Sequence, residues 1–201
     1  ASYIVSNSLH YENFLKKREV THNIEKLMLK EWEIFYNSQK IETMPSLNKL
    51  KDYEDKLGVS PGLIGSIVAD RRLLTGTKSS FFQDYSRRFS DKQLLNFLLL
   101  SLEETERFFS KTKPDLVVTM NCNTIFDYLA YLFSVQKNIK FINLRKTRVE
   151  DRISLNSTIN DPDPHFVVSF QKFNSYDYKV DNRVTNYLKS VKNNHAYYEG
   201  V

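Results

Sequence analysis

The sequence of 201 residues contains a single cysteine, Cys122, and only five glycines. One cysteine excludes an internal disulfide and gives no support for a cysteine-based metal site. Neither a GxGxxG fingerprint nor a P-loop is present, so a phosphate site would need side chains or a helix end. The four histidines are scattered, and no pair of them has metal-ligand spacing. We therefore expect no metal and no cofactor within this chain.

Long hydrophobic runs are also absent. No apolar stretch approaches the ~20 residues of a membrane-spanning helix, and the first residues lack a signal-peptide pattern. These absences indicate a cytoplasmic protein. Lys and Arg number 29 against 24 Asp and Glu, which gives a net charge of +5. This mild excess favours anionic partners such as nucleotide sugars, acidic glycans, lipid headgroups or nucleic acid, without selecting one of them.

The stretch from residue 113 to residue 152 organises the rest of the sequence. A short apolar run over 116–120 precedes a polar corner at 121–124, an amphipathic segment to about residue 135 and a second apolar run over 141–144. This order predicts a βαβ unit, because two parallel strands need a crossover of a dozen or more residues. Thr124 and Asp127 have the spacing of a capping box, so we expect the helix over about 124–135.

The N-terminal part predicts a helical subregion at about 20–75. Helical patterns begin near Thr21, at Pro45-Ser46 and at Ser60-Pro61. The second pattern stops at a glycine, Gly58. On the first helix, one face is expected to carry Ile24, Leu27, Met28, Glu31 and Phe35. The third helix is expected to carry inward Leu63, Ile64, Ile67 and Val68.

The segments around the central unit complete an α/β pattern. Ser90 and Gln93 fit a capping box before a strongly apolar helix, which we expect to lie buried against the sheet. Residues 165–170 have the length of a third strand, and residues 181–193 have the spacing of a last helix. The pattern predicts one Rossmann-like, three-layer α/β domain over residues 1–201, with a small parallel sheet flanked by helices.

The polar corner lies where ligands of parallel sheets bind, outside the carboxyl end of a strand. Asn121 and Asn123 stand at this strand-to-helix turn, and amide groups beside a helix N-terminus can bind a hydroxyl-rich or anionic ligand. The alternative is that the Asn and Thr residues only cap the helix and shape the turn. Cys122 has no accompanying histidine in sequence, and a lone cysteine is more often a small buried hydrophobe.

Three arginines follow the second apolar run. Arg145, Arg148 and Arg152 stand at i, i+3 and i+7, so a helix there would present three guanidinium groups on one face. Guanidinium groups suit phosphate and carboxylate ligands. Glu150 and Asp151 offer the alternative of an ion-paired, solvated helix surface. A looser group of Asp70, Arg71, Arg72, Tyr85, Arg87 and Arg88 fits an ordinary helix end and surface loop.

The order of these motifs resembles a known family. It runs through Asp70-Arg71, YSRRFS at 85–90, the long helix, KPDLVV at 113–118, Asn121, FINL at 141–144, Arg148 and Arg152. In this order the chain resembles bacterial capsule and surface-polysaccharide biosynthesis proteins, and in particular the N-terminal half of their two-domain, GT-B-like glycosyltransferases. The resemblance covers about residues 67–164.

This resemblance implies transfer of a sugar from a nucleotide sugar, the donor substrate, to a growing glycan or lipid-linked acceptor. In such enzymes the N-terminal domain contacts the acceptor and the C-terminal domain holds the donor. The chain would then need a missing C-terminal domain and would not be active alone, and it could contact the inner face of the membrane. The expected ligand contacts are Asn121, Asn123, Arg145, Arg148 and Arg152. Asp70 is the one candidate for a catalytic carboxylate, although a salt bridge to Arg71 or Arg72 is the favoured interpretation.

A protein of another class stays open as the alternative: a non-catalytic nucleotide- or glycan-binding module that recruits a polysaccharide-assembly enzyme. A parent protein with a second Rossmann-like half would favour the enzyme, and a chain that naturally ends near Val201 would favour the module. Nucleic acid is not expected as a partner, because the basic residues form no continuous stripe or known motif.

Overall fold

The computed structural model describes residues 2–3, 17, 23–24, 27–59, 62–74, 87–147, 153–159, 164–173 and 182–193. The chain divides into two compact units. The first comprises residues 1–144 and 155–159, and the second comprises residues 145–154 and 160–201. The prediction of a single domain over residues 1–201 stays a prediction.

The first helix begins later than its sequence pattern predicts. Strand β1 (Ser2–Tyr3) pairs in parallel with strand β2 (Asn23–Ile24), and helix α1 (Leu27–Ser38) follows. Ile24 therefore lies in a strand and not on the helical face to which its spacing assigned it. Thr21, the expected cap of this helix, lies outside the described residues.

Helix α2 (Leu47–Leu57) begins and ends where the sequence predicts. The hydroxyl of Ser46 accepts the N–H of Lys49 at 3.3 Å, which satisfies one of the unpaired donors of the first turn. Gly58 ends the helix in the left-handed conformation, with φ 68°. Glycine takes this conformation without the steric cost that a Cβ atom would bring.

Helices α3 (Ile64–Ala69) and α4 (Arg71–Leu74) end the N-terminal part, and the face that α3 turns inward differs from the expected one. Leu63 and Ile67 are buried, as predicted, whereas Ile64 and Val68 are 65% and 60% exposed. Asp70 is buried instead. The start signal at Ser60-Pro61 lies outside the described residues.

Helix α5 (Asp91–Thr112) begins with the predicted capping box. The N–H of Gln93 donates to the hydroxyl of Ser90 at 3.3 Å, and the N–H of Ser90 donates to the side-chain oxygen of Gln93 at 2.9 Å. The helix ends at Lys113, which adopts a left-handed conformation with φ 43°.

The predicted βαβ unit is present. Strand β3 (Leu116–Met120), helix α6 (Ile125–Gln136) and strand β4 (Lys140–Lys146) follow one another, and β3 and β4 are parallel neighbours. Val117 lies opposite Phe141 and Thr119 lies opposite Asn143. Strand β5 (Ile153–Asn156) is the third strand, in the order β3-β4-β5. The parallel pair, the crossover helix and its cap at Thr124 are thus confirmed.

Helix α5 packs against α6 and α1 more than against the sheet, which corrects the expectation that it lies directly on the strands. The crossover helix α6 takes the place next to β3. The core between these helices contains a chain of aromatic rings in edge-to-face contact. Phe97 lies 6.0 Å from Phe35 and 6.5 Å from Phe126, measured between ring centroids.

Two helices are described in the second unit. Helix α7 (Pro164–Phe173) contradicts the prediction of a strand over 165–170, and helix α8 (Asn182–Lys192) confirms the predicted last helix. A short apolar run does not distinguish a strand from a helix. Proline at the first helical position favours the helix here, because its φ is already helical and its missing N–H would be unpaired anyway. Within the described ranges we find no helix that is both long and apolar enough to cross a membrane.

The fold is therefore mixed α/β and mostly helical, with a small three-stranded sheet that contains one parallel pair. Val117 and Phe141 are buried on one side of this pair, whereas Leu116 and Met120 on β3 are 39% and 53% exposed. The alternation shows that one side of the pair is the better covered in the described part of the chain. The three-layer, Rossmann-like arrangement stays a prediction.

Candidate ligand-binding site

The corner (residues 121–124) connects the carboxyl end of β3 to α6 through two residues in an uncommon backbone conformation. Asn121 and Cys122 have φ values of 62° and 47°. The N–H of Asn121 donates to the carbonyl of Leu144 at 2.9 Å, so the turn begins directly at the end of the strand pair. Asparagine adopts this conformation readily, whereas a residue such as cysteine pays about 1–2 kcal/mol for it, and such strained residues cluster at functional sites. The corner is therefore the first place to look for a ligand.

The N-terminus of α6 begins at this corner, and side chains accept the N–H groups of Thr124, Ile125 and Asp127. Thr124 and Asp127 form the predicted capping box, with the N–H of Asp127 donating to the Thr124 hydroxyl at 3.2 Å. In return, the N–H of Thr124 donates to the Asp127 carboxylate at 3.2 Å. The N–H of Ile125 donates to Oδ2 of Asp70, also at 3.2 Å. Two carboxylates thus occupy the positive end of the helix, where an anionic ligand would otherwise bind.

Asp70 is completely buried and accepts four hydrogen bonds. Its Oδ1 accepts the backbone N–H and the Nε–H of Arg72 at 3.0 and 2.9 Å. Its Oδ2 accepts Nη2 of Arg72 and the N–H of Ile125. The salt bridge to Arg72, which was the favoured interpretation of Asp70, is confirmed. A general base must touch its substrate, so this geometry suits a carboxylate that fixes the end of α3 to the start of α6.

Arg72 is the centre of a larger cluster. Its Nη2 also donates to Oε1 of Glu31 on α1, at 2.5 Å. Its guanidinium group lies 5.4 Å from the ring centroid of Trp32. Burial alone would lower the pKa of Arg72, but its hydrogen bonds and charge interactions with Asp70 and Glu31 raise that pKa above its already high ordinary value. Arg72, on α4, therefore stays charged; it joins α1 through Glu31 and the start of α6 through Asp70.

The other carboxylates near Arg72 are held in an unfavourable environment for negative charge. Burial raises the pKa of Glu31, and Arg72 offsets only part of this effect. Burial likewise raises the pKa of Asp127, against the lowering effect of its hydrogen bonds with Thr124. We call Glu31, Asp70, Arg72 and Asp127 the Arg72 cluster. It brings three carboxyl groups around one guanidinium group, so it does not attract a further anion.

A buried polar pair lies within the strand pair, close to the corner. Asn143 is fully buried on β4, and its side-chain oxygen lies 3.5 Å from the hydroxyl of Thr119 on β3. Among the described residues, Nδ2 of Asn143 has no hydrogen-bond partner. An unpaired buried amide costs about 1–3 kcal/mol. The only sign of this pair in the sequence is an asparagine inside the apolar run at 141–144.

The predicted arginine group does not share one helical face. Arg145 lies on β4, is half-buried and belongs to the second unit, where its carbonyl accepts the hydroxyl of Ser154 at 3.5 Å. Arg148 and Arg152 lie outside the described residues. The spacing of i, i+3 and i+7 would place the three arginines on one face only if Arg145 lay in a helix, and it lies in β4, which continues to Lys146. A role of these arginines in ligand binding stays a prediction, as does that of Asn121 and Asn123.

Sequence reasoning placed Glu31 on a face of the first helix but missed its salt bridge to Arg72, and it missed Trp32 altogether. Arg72 and Arg88 both lie over the ring of Phe35, at 5.9 and 4.8 Å from its centroid. The available signal was the aromatic spacing on α1, where residues 32, 35 and 36 occupy neighbouring positions of a helix surface. In the described ranges, no group of three or more His, Cys, Asp or Glu residues is arranged to hold a metal ion.

No protein-family model, curated protein sequence or solved structure matches this chain significantly. The resemblance to capsule glycosyltransferases therefore stays a prediction, and the function must be argued from the site itself.

Proposed function

We propose that the chain is the Rossmann-like, acceptor-side half of a GT-B-like glycosyltransferase of bacterial capsule or surface-polysaccharide biosynthesis. One observation carries the proposal: a polar, left-handed corner ends β3 in a parallel βαβ unit. Ligands of parallel sheets bind outside the carboxyl ends of the strands. Asn123 exposes an amide side chain at this position. The intact enzyme would transfer a sugar from a nucleotide sugar to a glycan or lipid-linked acceptor.

The charges around the corner favour an uncharged acceptor over the diphosphate of the donor. Asp70 and Asp127 already occupy the N-terminus of α6, and Arg72 is paired with Asp70 and Glu31. A phosphate group that approaches this helix end would be repelled by the carboxylates of Asp70 and Asp127, which already accept its N–H groups. Sugar hydroxyls carry no charge and both donate and accept hydrogen bonds, so they suit an asparagine side chain. This preference supports a position on the acceptor side.

In this proposal the chain contributes binding, and the missing C-terminal half holds the nucleotide sugar. Asp70 is buried and hydrogen-bonded, Glu31 is paired with Arg72, and Asp127 caps α6. Each of these carboxyl groups has a structural partner, so the proposal assigns no base to the cluster. The chain alone is then expected to fold and to show no sugar transfer.

The test compares acceptor and donor kinetics of the intact enzyme. Replacing Asn123 by Ala should raise the KM for the acceptor roughly two- to tenfold, because a neutral hydrogen bond contributes about 0.5–1.5 kcal/mol. The KM for the nucleotide sugar should not change. Asn48→Ala, which removes an exposed amide from α2, is the matched control and should change neither value.

Two results would contradict this proposal. The first is an equal change of both KM values in Asn123→Ala, which would place the residue outside an acceptor site. The second is turnover of a nucleotide sugar by the 201-residue chain alone, above a heat-inactivated control, which would show that no second half is needed.

The second candidate is a non-catalytic glycan-binding module that recruits a polysaccharide-assembly enzyme. The observation that favours it is the same engagement of Asp70, Glu31 and Asp127, since a binding module needs no free carboxylate. A parent protein without a second nucleotide-binding half, which binds oligosaccharide but transfers no sugar, would favour this candidate. Sugar transfer by the parent protein would exclude it.

A further inference from the structure

Helix α8, in the second unit, leaves its apolar side exposed. Val184, Leu188 and Val191 recur at i, i+4 and i+7, so they form one stripe along the helix. Their exposed fractions are 49%, 52% and 43%, and no residue of α8 is buried. A surface helix normally packs such a stripe against a core. We call these three residues the α8 stripe, and they form a surface that is available to a partner.

Basic residues border the α8 stripe on both sides. At about 100° of rotation per residue, Arg183 lies to one side of the stripe and Lys192 to the other. Both are exposed, as is Lys189 farther from the stripe, and Tyr187 lies half-buried between the stripe and Arg183. The helix contains no Asp or Glu. This distribution complements a surface that is apolar in its interior and negatively charged at its boundary with water.

We propose that α8 binds the surface of an anionic lipid bilayer, with the α8 stripe toward the acyl chains and the basic residues among the headgroup phosphates. An amphipathic helix with a basic polar side lies in the plane of the interface, where its apolar side inserts by about 5–10 Å. From such a depth, the long side chains of Arg183 and Lys192 reach the headgroups. A tyrosine at the border of the stripe suits the headgroup level, where aromatic rings collect. The inference goes beyond the proposed function, which assigns no residue to a membrane, and it rests on α8 alone.

Charge argues against a second copy of α8 as the partner of the stripe. The helix contains three basic residues and no acidic one, so two copies packed stripe to stripe would bring like charges together along the contact. A layer of anionic headgroups instead offers the opposite charge to each of the three, and the acyl chains beneath accept the stripe. An acidic, apolar groove on another protein is the remaining alternative, and vesicles that contain no other protein distinguish it from lipid.

The experiment measures binding of the 201-residue chain to lipid vesicles by flotation. One set of vesicles contains equal parts of phosphatidylcholine and phosphatidylglycerol, and the other contains phosphatidylcholine alone. We expect saturable binding to the anionic vesicles and at least roughly tenfold weaker binding to the neutral ones, because each basic residue near the surface contributes about fivefold. Binding to the anionic vesicles should also weaken in ~1 M NaCl, where charge interactions are screened beyond about 3 Å.

Two variants of α8 have matched controls on α2. Leu188→Ala should weaken binding roughly ten- to fiftyfold, since it removes three carbon atoms from the stripe. Leu47→Ala, which shortens a similarly exposed leucine, should leave binding unchanged. Lys192→Gln should weaken binding about fivefold, whereas Lys51→Gln removes the same charge from α2 and should have no effect. All four side chains are exposed, so the variants should fold, and circular dichroism checks this.

The outcomes are distinct. Saturable binding to anionic vesicles that both α8 variants weaken and both controls leave unchanged would support the proposal. It would be overturned by no binding to anionic vesicles, by equal binding to neutral ones, or by α8 variants that bind like the wild type. A stable dimer that Leu188→Ala dissociates, without vesicle binding, would assign the stripe to a second copy instead. Sugar transfer by the intact enzyme is measured with a soluble acceptor, so neither result decides the other.

Discussion

Replacing Asp70 by asparagine tests whether the most deeply buried carboxylate of the site is structural. In the wild type, both oxygens of Asp70 accept hydrogen bonds, from Arg72 and from the N–H of Ile125. Asparagine has nearly the same shape but replaces one oxygen by an NH₂ group. That group would face donors on Arg72 or on Ile125 and could accept from neither. Each oxygen accepts two hydrogen bonds, so the substitution removes a charge and breaks at least two hydrogen bonds without leaving a cavity.

The expected cost follows from the burial of the two partners. Removing one partner of a buried ion pair costs about 3–5 kcal/mol. The side chain of Arg72 is 28% exposed, and it keeps Glu31 as a partner. Solvent and the second carboxylate compensate part of the loss, so we expect a decrease of about 2–3 kcal/mol in the free energy of unfolding. Against a typical total of roughly 5–15 kcal/mol, the variant should still fold.

Urea denaturation followed by Trp32 fluorescence measures this effect, since Trp32 contacts Arg72. The control is Glu103→Gln, which breaks the exposed pair with Lys49. Exposed pairs contribute about 0–1 kcal/mol, so this variant should be close to the wild type. The reasoning would be refuted if Asp70→Asn lost no more stability than Glu103→Gln. If Asp70→Asn kept the free energy of unfolding of the wild type but abolished sugar transfer in the intact enzyme, a catalytic role of Asp70 would be supported instead.

Glu31→Gln should gain stability relative to the wild type as the pH rises above 4.5, the ordinary pKa of a glutamate. Burial raises the pKa of Glu31 in the folded state, so the wild type is stabilised while this group is protonated and loses that stability as it ionises. Thermal denaturation over a pH series checks this, and a difference between the two proteins that is independent of pH would contradict it. Lys113→Gly should raise the free energy of unfolding by about 1 kcal/mol, because φ at this helix end is 43° and glycine adopts it without strain. If the urea midpoint of Lys113→Gly were at or below that of the wild type, contacts of the lysine side chain would compensate the cost of its left-handed backbone conformation.

Local signals in the sequence predict those elements whose formation depends on near neighbours. Ser90 with Gln93 and Thr124 with Asp127 form the expected capping boxes, since each pair is three residues apart and needs only a turn of helix. Gly58 ends α2 because its left-handed conformation is a property of that residue alone. The parallel pair of β3 and β4 follows from two apolar runs and a crossover between them.

The errors arise where one pattern fits two structures. The apolar run at 165–170 has strand length, yet it forms part of α7. Arg145 has helical spacing with Arg148 and Arg152, yet β4 continues through it to Lys146. Spacing over a few residues does not reveal where an element ends, because that end depends on backbone pairing with another segment.

The sequence by itself determined the βαβ unit, its polar corner and the capped starts of α5 and α6, because these depend on residue types a few positions apart. Only the tertiary structure decided that Arg72 joins Glu31 and Asp70, that Asp70 reaches the N–H of Ile125, and that α3 turns Asp70 inward. Glu31 is 41 residues from Arg72 in sequence, and Ile125 is 55 residues from Asp70. Whether a charged side chain is exposed or buried against such distant partners depends on how the helices pack, because the cost of burying the charge is offset only where a partner is in place.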